Sequence, residues 1–410
     1  MGSSTFITRV SLENYKSIAR CDVSLGSLTF LVGANGSGKS NFLDALRFVA
    51  DALRAALDHA IRDRGGIKEV RLRSSGHPTH FGIRLEFSLP TTGQRGFYAF
   101  RIGALREGGY EVQREECLIS SREVFSPDSH YRVVRGAVES ISVKVAPVAS
   151  SDRLYLVNAS GLPEFRPLYE SLSTMGFYNL NPDQIRDLQS PDVGEILSRD
   201  GGNIASVLGQ LTAHNPQIKE RIEEYLGKVV SGIQKVYAKP IGSKETLEFR
   251  QQMAGSKHPW RFLAANMSDG TLRAVGVLIA LFQSSNGQGP RVSLVGIEEP
   301  EIALHPAAAG VLLDALIEAS QTTQVLVTSH SPELLDDPRI SGESILAVLA
   351  DEGITKVAPL DEVGRSVLHD RLYTPGELLR LNQLSPDLEA LERVSSSQMN
   401  LFSRNILEEA

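Results

Sequence analysis

Two cysteines in 410 residues are too few for a disulfide framework. Cys21 and Cys117 lie nearly a hundred residues apart without the close spacing of a zinc site, so both read as packed thiols. No run of eighteen apolar residues occurs, which excludes a membrane-spanning helix on the sequence. Met1-Gly2-Ser3-Ser4 lacks the charged and apolar regions of a secretory leader, and the expected location is cytoplasmic. The chain has no internal repeat, no low-complexity tract and no heptad run long enough for an extended coiled coil. Positive charge is not in excess either: 42 Lys and Arg against 49 Asp and Glu give a formal net charge of −7, which excludes an overall basic coat for nucleic acid. One local cluster, Arg62, Arg64, Lys68, Arg71 and Arg73, reads equally as a solvated helix end and strand or as a face for a phosphate backbone.

What is present is an ordinary globular composition, 41 % hydrophobic and 22 % charged, at a length that suggests two or three lobes. Phe6 to Leu12 alternates as a strand, Leu25 to Val32 is a second apolar run, and Asn41 to Arg54 has helical periodicity. Phe81 to Leu89, Gly96 to Ile102 and Val133 to Val145 predict an antiparallel β layer. Helical spacing follows in Pro163 to Met175 and Asp183 to Val230, then a strand pair at Gly232 to Lys239 and Thr246 to Gln252, and a helix over Gly270 to Phe282. Val292 to Ile297 and Val325 to Thr328, separated by a helix over Pro306 to Ser320, give the alternation of a parallel sheet.

Four segments carry chemistry. Gly33-Ala34-Asn35-Gly36-Ser37-Gly38-Lys39-Ser40 satisfies G-x-x-x-x-G-K-[ST] between a strand and a helix. Gly33, Asn35, Gly36, Ser37, Gly38 and Asn41 are expected to cradle phosphates, Lys39 to neutralise them and Ser40 to ligate Mg²⁺. Val292 to Ile297 discharges Glu298 and Glu299 at a strand end; one carboxylate can hold the metal and the next can act on the attacking water. Glu298 is the metal-side candidate and Glu299 the general base; the plain alternative is a solvated strand end. His330 ends the next strand, thirty-one residues after Glu299, where it can bond the terminal phosphate or the water. Asn266-Met267-Ser268-Asp269-Gly270-Thr271-Leu272-Arg273 precedes a helix and offers an anion site through Ser268 and Gly270, or else a simple helix cap.

In this order the four segments resemble the ATPases of the ABC superfamily, and within it the RecF, SMC and OLD-like group. Asn14-Tyr15-Lys16-Ser17 is similar to that group's N-F-[KR]-S segment, Ile297 to Pro306 to its Walker B and following loop, and Met267 to Thr271 to a degenerate signature motif. The nearest likeness is to short bacterial RecF-like ATPases, several relatives of which serve in anti-phage defence beside a nuclease or toxin. The likeness covers residues 1 to about 335 and continues weakly through Tyr373 to Leu379.

The resemblance implies an α/β fold, a P-loop NTPase head of ABC type with an antiparallel β layer and a helical insertion. Its expected divisions are 1–165 with Walker A and the β layer, 166–235 as the insertion, 236–345 with signature, Walker B and His330, and 346–410 as a C-terminal extension. It implies Mg²⁺-dependent ATP hydrolysis in a homodimer or higher assembly of dimers, with Ser268 and Gly270 of one copy acting on the ATP of the other. DNA or RNA, or an effector nuclease or toxin, are the implied partners, and no membrane is. Two departures stand out: Glu298 replaces the usual aspartate, and Gln184 is the candidate for the metal-ligating glutamine, beside the plain reading of a polar helix start. About 250 residues between Ser40 and Val292 are too few for an SMC-like tether, and the eighty after His330 hold no D-x-D pair of a built-in nuclease. Rival readings are the nucleotide-binding subunit of a membrane transporter and a slow ATP-binding scaffold.

Overall fold

The computed structural model describes residues 4–73, 78–121, 127–284, 292–396 and 400–402; Met1 to Ser3, read above for a leader, lie outside them. The first half of the chain runs β1 (Ile7–Tyr15), β2 (Ile18–Ser24), β3 (Leu28–Val32), α1 (Lys39–Arg54), α2 (Leu57–Arg62), α3 (Ile67–Val70), β4 (His80–Ser88), β5 (Arg95–Ala104), β6 (Tyr110–Ile119), β7 (Ser129–Val134) and β8 (Ala137–Ile141). It continues with α4 (Tyr155–Ala159), α5 (Arg166–Ser173), β9 (Gly176–Tyr178), α6 (Pro182–Arg186), α7 (Ile204–His214), α8 (Pro216–Val229), β10 (Ile233–Ile241), β11 (Lys244–Gln251) and β12 (Trp260–Leu263). The remainder is α9 (Asp269–Phe282), β13 (Leu294–Glu298), α10 (Ala309–Ser320), β14 (Gln324–Ser329), α11 (Pro332–Leu335), β15 (Ile345–Asp351), β16 (Ile354–Pro359), α12 (Glu362–His369), α13 (Pro375–Arg380) and α14 (Leu388–Ser396).

Two large sheets enclose α1. One is antiparallel, in the order β2-β1-β4-β5-β6-β7-β8; the other has the order β16-β15-β3-β14-β13-β9 and is parallel except for its edge hairpin. Side-chain alternation assigns the faces of the second sheet. Leu31, Leu294, Leu326 and Leu346 join a core with α1 and the antiparallel sheet, while Phe30, Val32, Val295, Ile297, Val325 and Val327 join a second core with α7, α8, α9 and α10. Burial on both faces explains why β13 and β14 read as near-continuous apolar runs. A three-stranded sheet, β10-β11-β12, packs beside α7 and α8.

The α/β head with its antiparallel layer is therefore as expected, and three local features differ. Val133 to Val145 is not one strand: Arg135 (φ 45°) and Gly136 (φ 75°) turn the chain between β7 and β8, and Val134 pairs with Ala137. β9 arises in the gap between the two stretches read as helical, inside the expected insertion, because three residues pairing with Val295 to Ile297 are too short to show a period. β15 and β16, placed above in the C-terminal extension, instead complete the central sheet, with β15 parallel to β3 at Leu346↔Leu31.

Candidate functional site

The parallel register brings three strand ends to one edge. Val32 pairs with Ser329 and Glu298 with Thr328, so the loop after β3, the acids after β13 and His330 after β14 leave the sheet side by side. The loop bends through Gly36 (φ 79°) and Gly38 (φ 100°), conformations open to glycine, and Gly38 then caps α1. At Gly33 a Cβ would fall 2.1 Å from the carbonyl oxygen of Val348 in β15. Lys39, buried at the start of α1, donates to the carbonyls of Gly33 (2.8 Å) and Ala34 (3.1 Å).

Behind the loop runs a chain of hydroxyls. Asn41 Nδ2 donates to Ser17 Oγ (2.7 Å), Ser17 Oγ lies 2.7 Å from Thr355 Oγ1, and Thr355 Oγ1 donates to the Ser37 carbonyl (2.9 Å). The strand β16 thus touches the loop from below, and a Cβ on Gly38 would strike Thr355 Oγ1 at 1.9 Å. Asn14 (φ 55°) and Lys16 (φ 49°) make the tight turn that delivers Ser17, which accounts for the Asn14-Tyr15-Lys16-Ser17 segment.

Glu299 takes φ 45°, a left-handed backbone that costs a non-glycine residue about 1–3 kcal/mol unless its surroundings hold it. They do: its N–H donates to the Thr328 carbonyl (3.0 Å) and to Thr328 Oγ1 (3.2 Å), while Arg273 Nη2 donates to its carbonyl (3.2 Å). This conformation aims the carboxylate across the sheet edge, with Oε1 at 3.0 Å from His330 Nδ1 and 3.8 Å from Lys39 Nζ. Burial pushes the Lys39 ammonium below its ordinary pKa, opposed by the charges of Glu299 and Glu301. Glu301 is a further carboxyl here; burial pushes its pKa up, although Ser329 Oγ donates to it (2.6 Å).

Ser40 and Glu298 line one cavity of about 110 Å³ with Lys16, Asn41, Asp44, Arg47, Tyr178 and Arg199. Arg199 Nη2 lies 2.9 Å from Glu298 Oε1. Ser268 caps α9 by accepting from the Thr271 N–H (3.3 Å), and Gly270 sits so close to Ala303 that a Cβ would be 2.3 Å from its carbonyl oxygen. Ser268 is exposed, and among the described residues no hydrogen bond joins it to the loop at 33–41.

The family described as "AAA domain, putative AbiEii toxin, Type IV TA system" matches residues 28–139 and 148–336, from β3 to just past α11. The chain belongs to this family. An "OLD nuclease" of Thermus scotoductus is 20 % identical to this AAA-domain protein over 390 residues, covering 88 % of the chain but 66 % of that relative. The chain is similar in fold to an Smc head bound to the C-winged helix domain of ScpA (16 % identity, 88 % of this chain and 99 % of that one, TM-score 0.55). It is similar also to the Smc head of Pyrococcus furiosus with an extended coiled coil, bound to the C-terminal domain of ScpA (14 %, 90 % and 99 %, TM-score 0.55). The fold is thus that of an ABC/SMC-like P-loop ATPase of the group that includes defence ATPases.

Within the AAA domain, Lys39, Glu299 and His330 meet at one point, and Ser40 and Glu298 share one cavity, as the strand-end reading of the sequence anticipates. Ser268 and Gly270 make no hydrogen bond to them among the described residues. Gln184 lies exposed on α6, its carbonyl accepting from Gln189 Nε2 (3.2 Å), and does not line the Ser40–Glu298 cavity; Arg199 does. Four of the five residues of the basic cluster are engaged: Arg64 is buried against Asp44 and Asp51, Arg62 pairs with Asp58, Arg73 with Glu69, and Arg71 donates to the Pro78 carbonyl. Thr355, Arg199 and Asp44 carry no motif, and only the fold brings them to the site, whereas Arg273 closes the Asn266 to Arg273 segment already singled out in the sequence. Among the described residues no helix is long and apolar enough to cross a membrane.

Proposed function

We propose that the chain is a Mg²⁺-dependent ATPase that encloses two ATP molecules between two copies of itself. In this reading the cycle acts on nucleic acid or on a partner effector, such as a nuclease or toxin, in phage defence or DNA repair. The observation that carries it is the junction of Lys39, Glu299 and His330 at the mouth of the glycine loop. Loop N–H groups and the start of α1 favour phosphate, and Lys39 exchanges the Gly33 and Ala34 carbonyls for phosphate oxygens. Glu299 orients and deprotonates the attacking water; His330, bonded to it, holds the carboxylate and faces the terminal phosphate.

Ser40 and Glu298 offer a hydroxyl and a carboxylate to one small cavity, an all-oxygen donor set that suits a hard cation. Magnesium, when bound, supplies charge neutralisation on the phosphate oxygens. Exposure of Ser268 at the N-terminus of α9, away from its own loop, supports its action on the ATP of a second copy. Membership of a family described by a type IV toxin system, and the OLD nuclease likeness, support the defence setting.

Phosphate release and solution mass, measured together for wild type and Glu299→Gln with ATP and Mg²⁺, test this. The expected result is turnover lost in the variant while ATP drives a stable dimer, and turnover lost in wild type on adding EDTA. Normal hydrolysis by Glu299→Gln with no change of mass would end both the base assignment and the shared site. A wild-type rate indifferent to DNA, RNA and candidate effectors would end the coupling.

A further inference from the structure

Arg273 is the one charged side chain of α9 that points into the core beneath the acids, five residues beyond Ser268. Its Nη1 donates to the Leu180 carbonyl (3.0 Å), in the stretch after β9, and its Nη2 donates to the carbonyls of both Glu298 and Glu299 (3.2 Å each). The guanidinium therefore ties three backbone segments together: the helix bearing Ser268 and Gly270, the end of β13, and the chain leaving β9. The guanidinium places its donors on main-chain oxygens, two of them flanking the left-handed residue Glu299. Its Nε has no partner among the described residues, so the geometry is set by those carbonyls rather than by a salt bridge.

A second contact runs parallel to it. Gly270 is pressed against the Ala303 carbonyl, and Ala303 also has a left-handed backbone (φ 65°) in the turn that follows Glu301. The N-terminal turn of α9 thus grips the chain on both sides of the acids, at 298–299 through Arg273 and at 303 through Gly270.

We infer that Arg273 is a positioning residue for Glu299: it holds the base in its left-handed conformation and transmits to it the position of the helix whose first turn meets the second copy's nucleotide. The inference rests on the ATPase reading above and deepens it, because each copy's hydrolysis then depends on whether its α9 is engaged with the ATP of the other. Arg273 acts on the reaction through the Glu298 and Glu299 backbone. Its removal releases the Glu299 backbone, so the carboxylate loses aim while the glycine loop, Lys39 and Ser40 are left as they were.

Arg273→Met and Arg273→Lys, measured beside wild type and Glu299→Gln, decide the matter. The readouts are binding of a fluorescent ATP analogue, kcat and KM from phosphate release, and the far-ultraviolet circular dichroism of each variant. Arg273→Met is expected to bind nucleotide as wild type does while kcat falls on the order of a hundredfold, the effect of misplacing a reacting group by about an ångström. Lysine can reach one of the paired carbonyls, so Arg273→Lys is expected to recover part of that loss. A wild-type kcat in Arg273→Met, or nucleotide binding lost in step with kcat, overturns the inference. Should Arg273→Met fail to fold, Arg273→Lys and Arg273→Gln carry the same comparison, with lowered kcat at unchanged affinity in favour and wild-type kcat against. If wild type releases no phosphate, the ATPase reading has failed; if Glu299→Gln turns over, the base assignment has failed and the inference with it; if Glu299→Gln is dead and Arg273→Met is normal, the positioning role alone has failed.

Discussion

Asp44 shows how much of the site depends on a residue with no motif. It lies one turn beyond Ser40 and is met by Tyr15 Oη (2.8 Å), Lys16 Nζ (2.6 Å), Arg47 Nη2 (2.6 Å) and Arg64 Nη2 (3.0 Å). Burial alone would raise its pKa, and the guanidinium groups of Arg64 and Arg47 overcome that and hold the carboxyl well below the usual carboxylate range. Replacing it by alanine leaves Arg64, whose side chain is 2 % exposed, with Asp51 as its remaining carboxylate partner among the described residues. Asp44→Ala is expected to lower unfolding stability by about 1–3 kcal/mol in a urea titration, since Asp51 still pairs with Arg64. Arg62→Ala, which breaks the exposed Arg62–Asp58 pair, should cost less than about 1 kcal/mol in the same titration. In the sequence Asp44 and Arg64 are an acid on an amphipathic helix and one basic residue in a run. Their pairing across twenty positions is tertiary, so Arg64 looked as free as Arg62.

The hairpin of β15 and β16 acts on the nucleotide loop through a single hydroxyl. Thr355→Val keeps the shape and removes the bonds to Ser17 and to the Ser37 carbonyl. ATP affinity is expected to fall about fivefold, with the fold retained, since a bond of this kind contributes about 1 kcal/mol. Isothermal titration reads this directly, and an unchanged affinity would make the contact incidental. Elsewhere, α8 is clasped to α10 where Arg221 and Tyr225 Oη (2.7 Å) both meet Glu318. The hydrogen bond from Arg221, more than burial opposes it, lowers the Glu318 pKa. A carboxyl with a lowered folded pKa stabilises above its unfolded pKa and loses that contribution as pH falls through the folded value. Arg221→Ala is therefore expected to cost up to about 1 kcal/mol at neutral pH, an amount limited by solvent exposure, and progressively less below pH 4.5. The helical periods of α1 and α9 and the continuous apolar runs of β13 and β14 were legible in the sequence. β9 was hidden by its brevity and β16 by Thr355 and Lys356 interrupting its apolar positions.

At the scale of the molecule, the two-sheet architecture followed from the alternation of apolar strands and helices, and the motif order placed the strand ends together before any coordinates did. What was not legible was which late strands flank β3. Spacing along a chain says nothing about neighbours across a parallel sheet, and β14 and β15 come from residues some three hundred positions beyond β3. That arrangement has a consequence for synthesis. The Ser37 carbonyl and its Thr355 partner are separated by 318 residues. At a translation rate of about 5–20 residues per second, roughly a quarter of a minute to a minute passes between them. During that interval the nascent chain carries the glycine loop without the strands on either side of it. Nucleotide capture is thus expected only of a chain synthesised past β16, and a product ending at Ser344 should retain no ATP on a filter that retains the 410-residue chain.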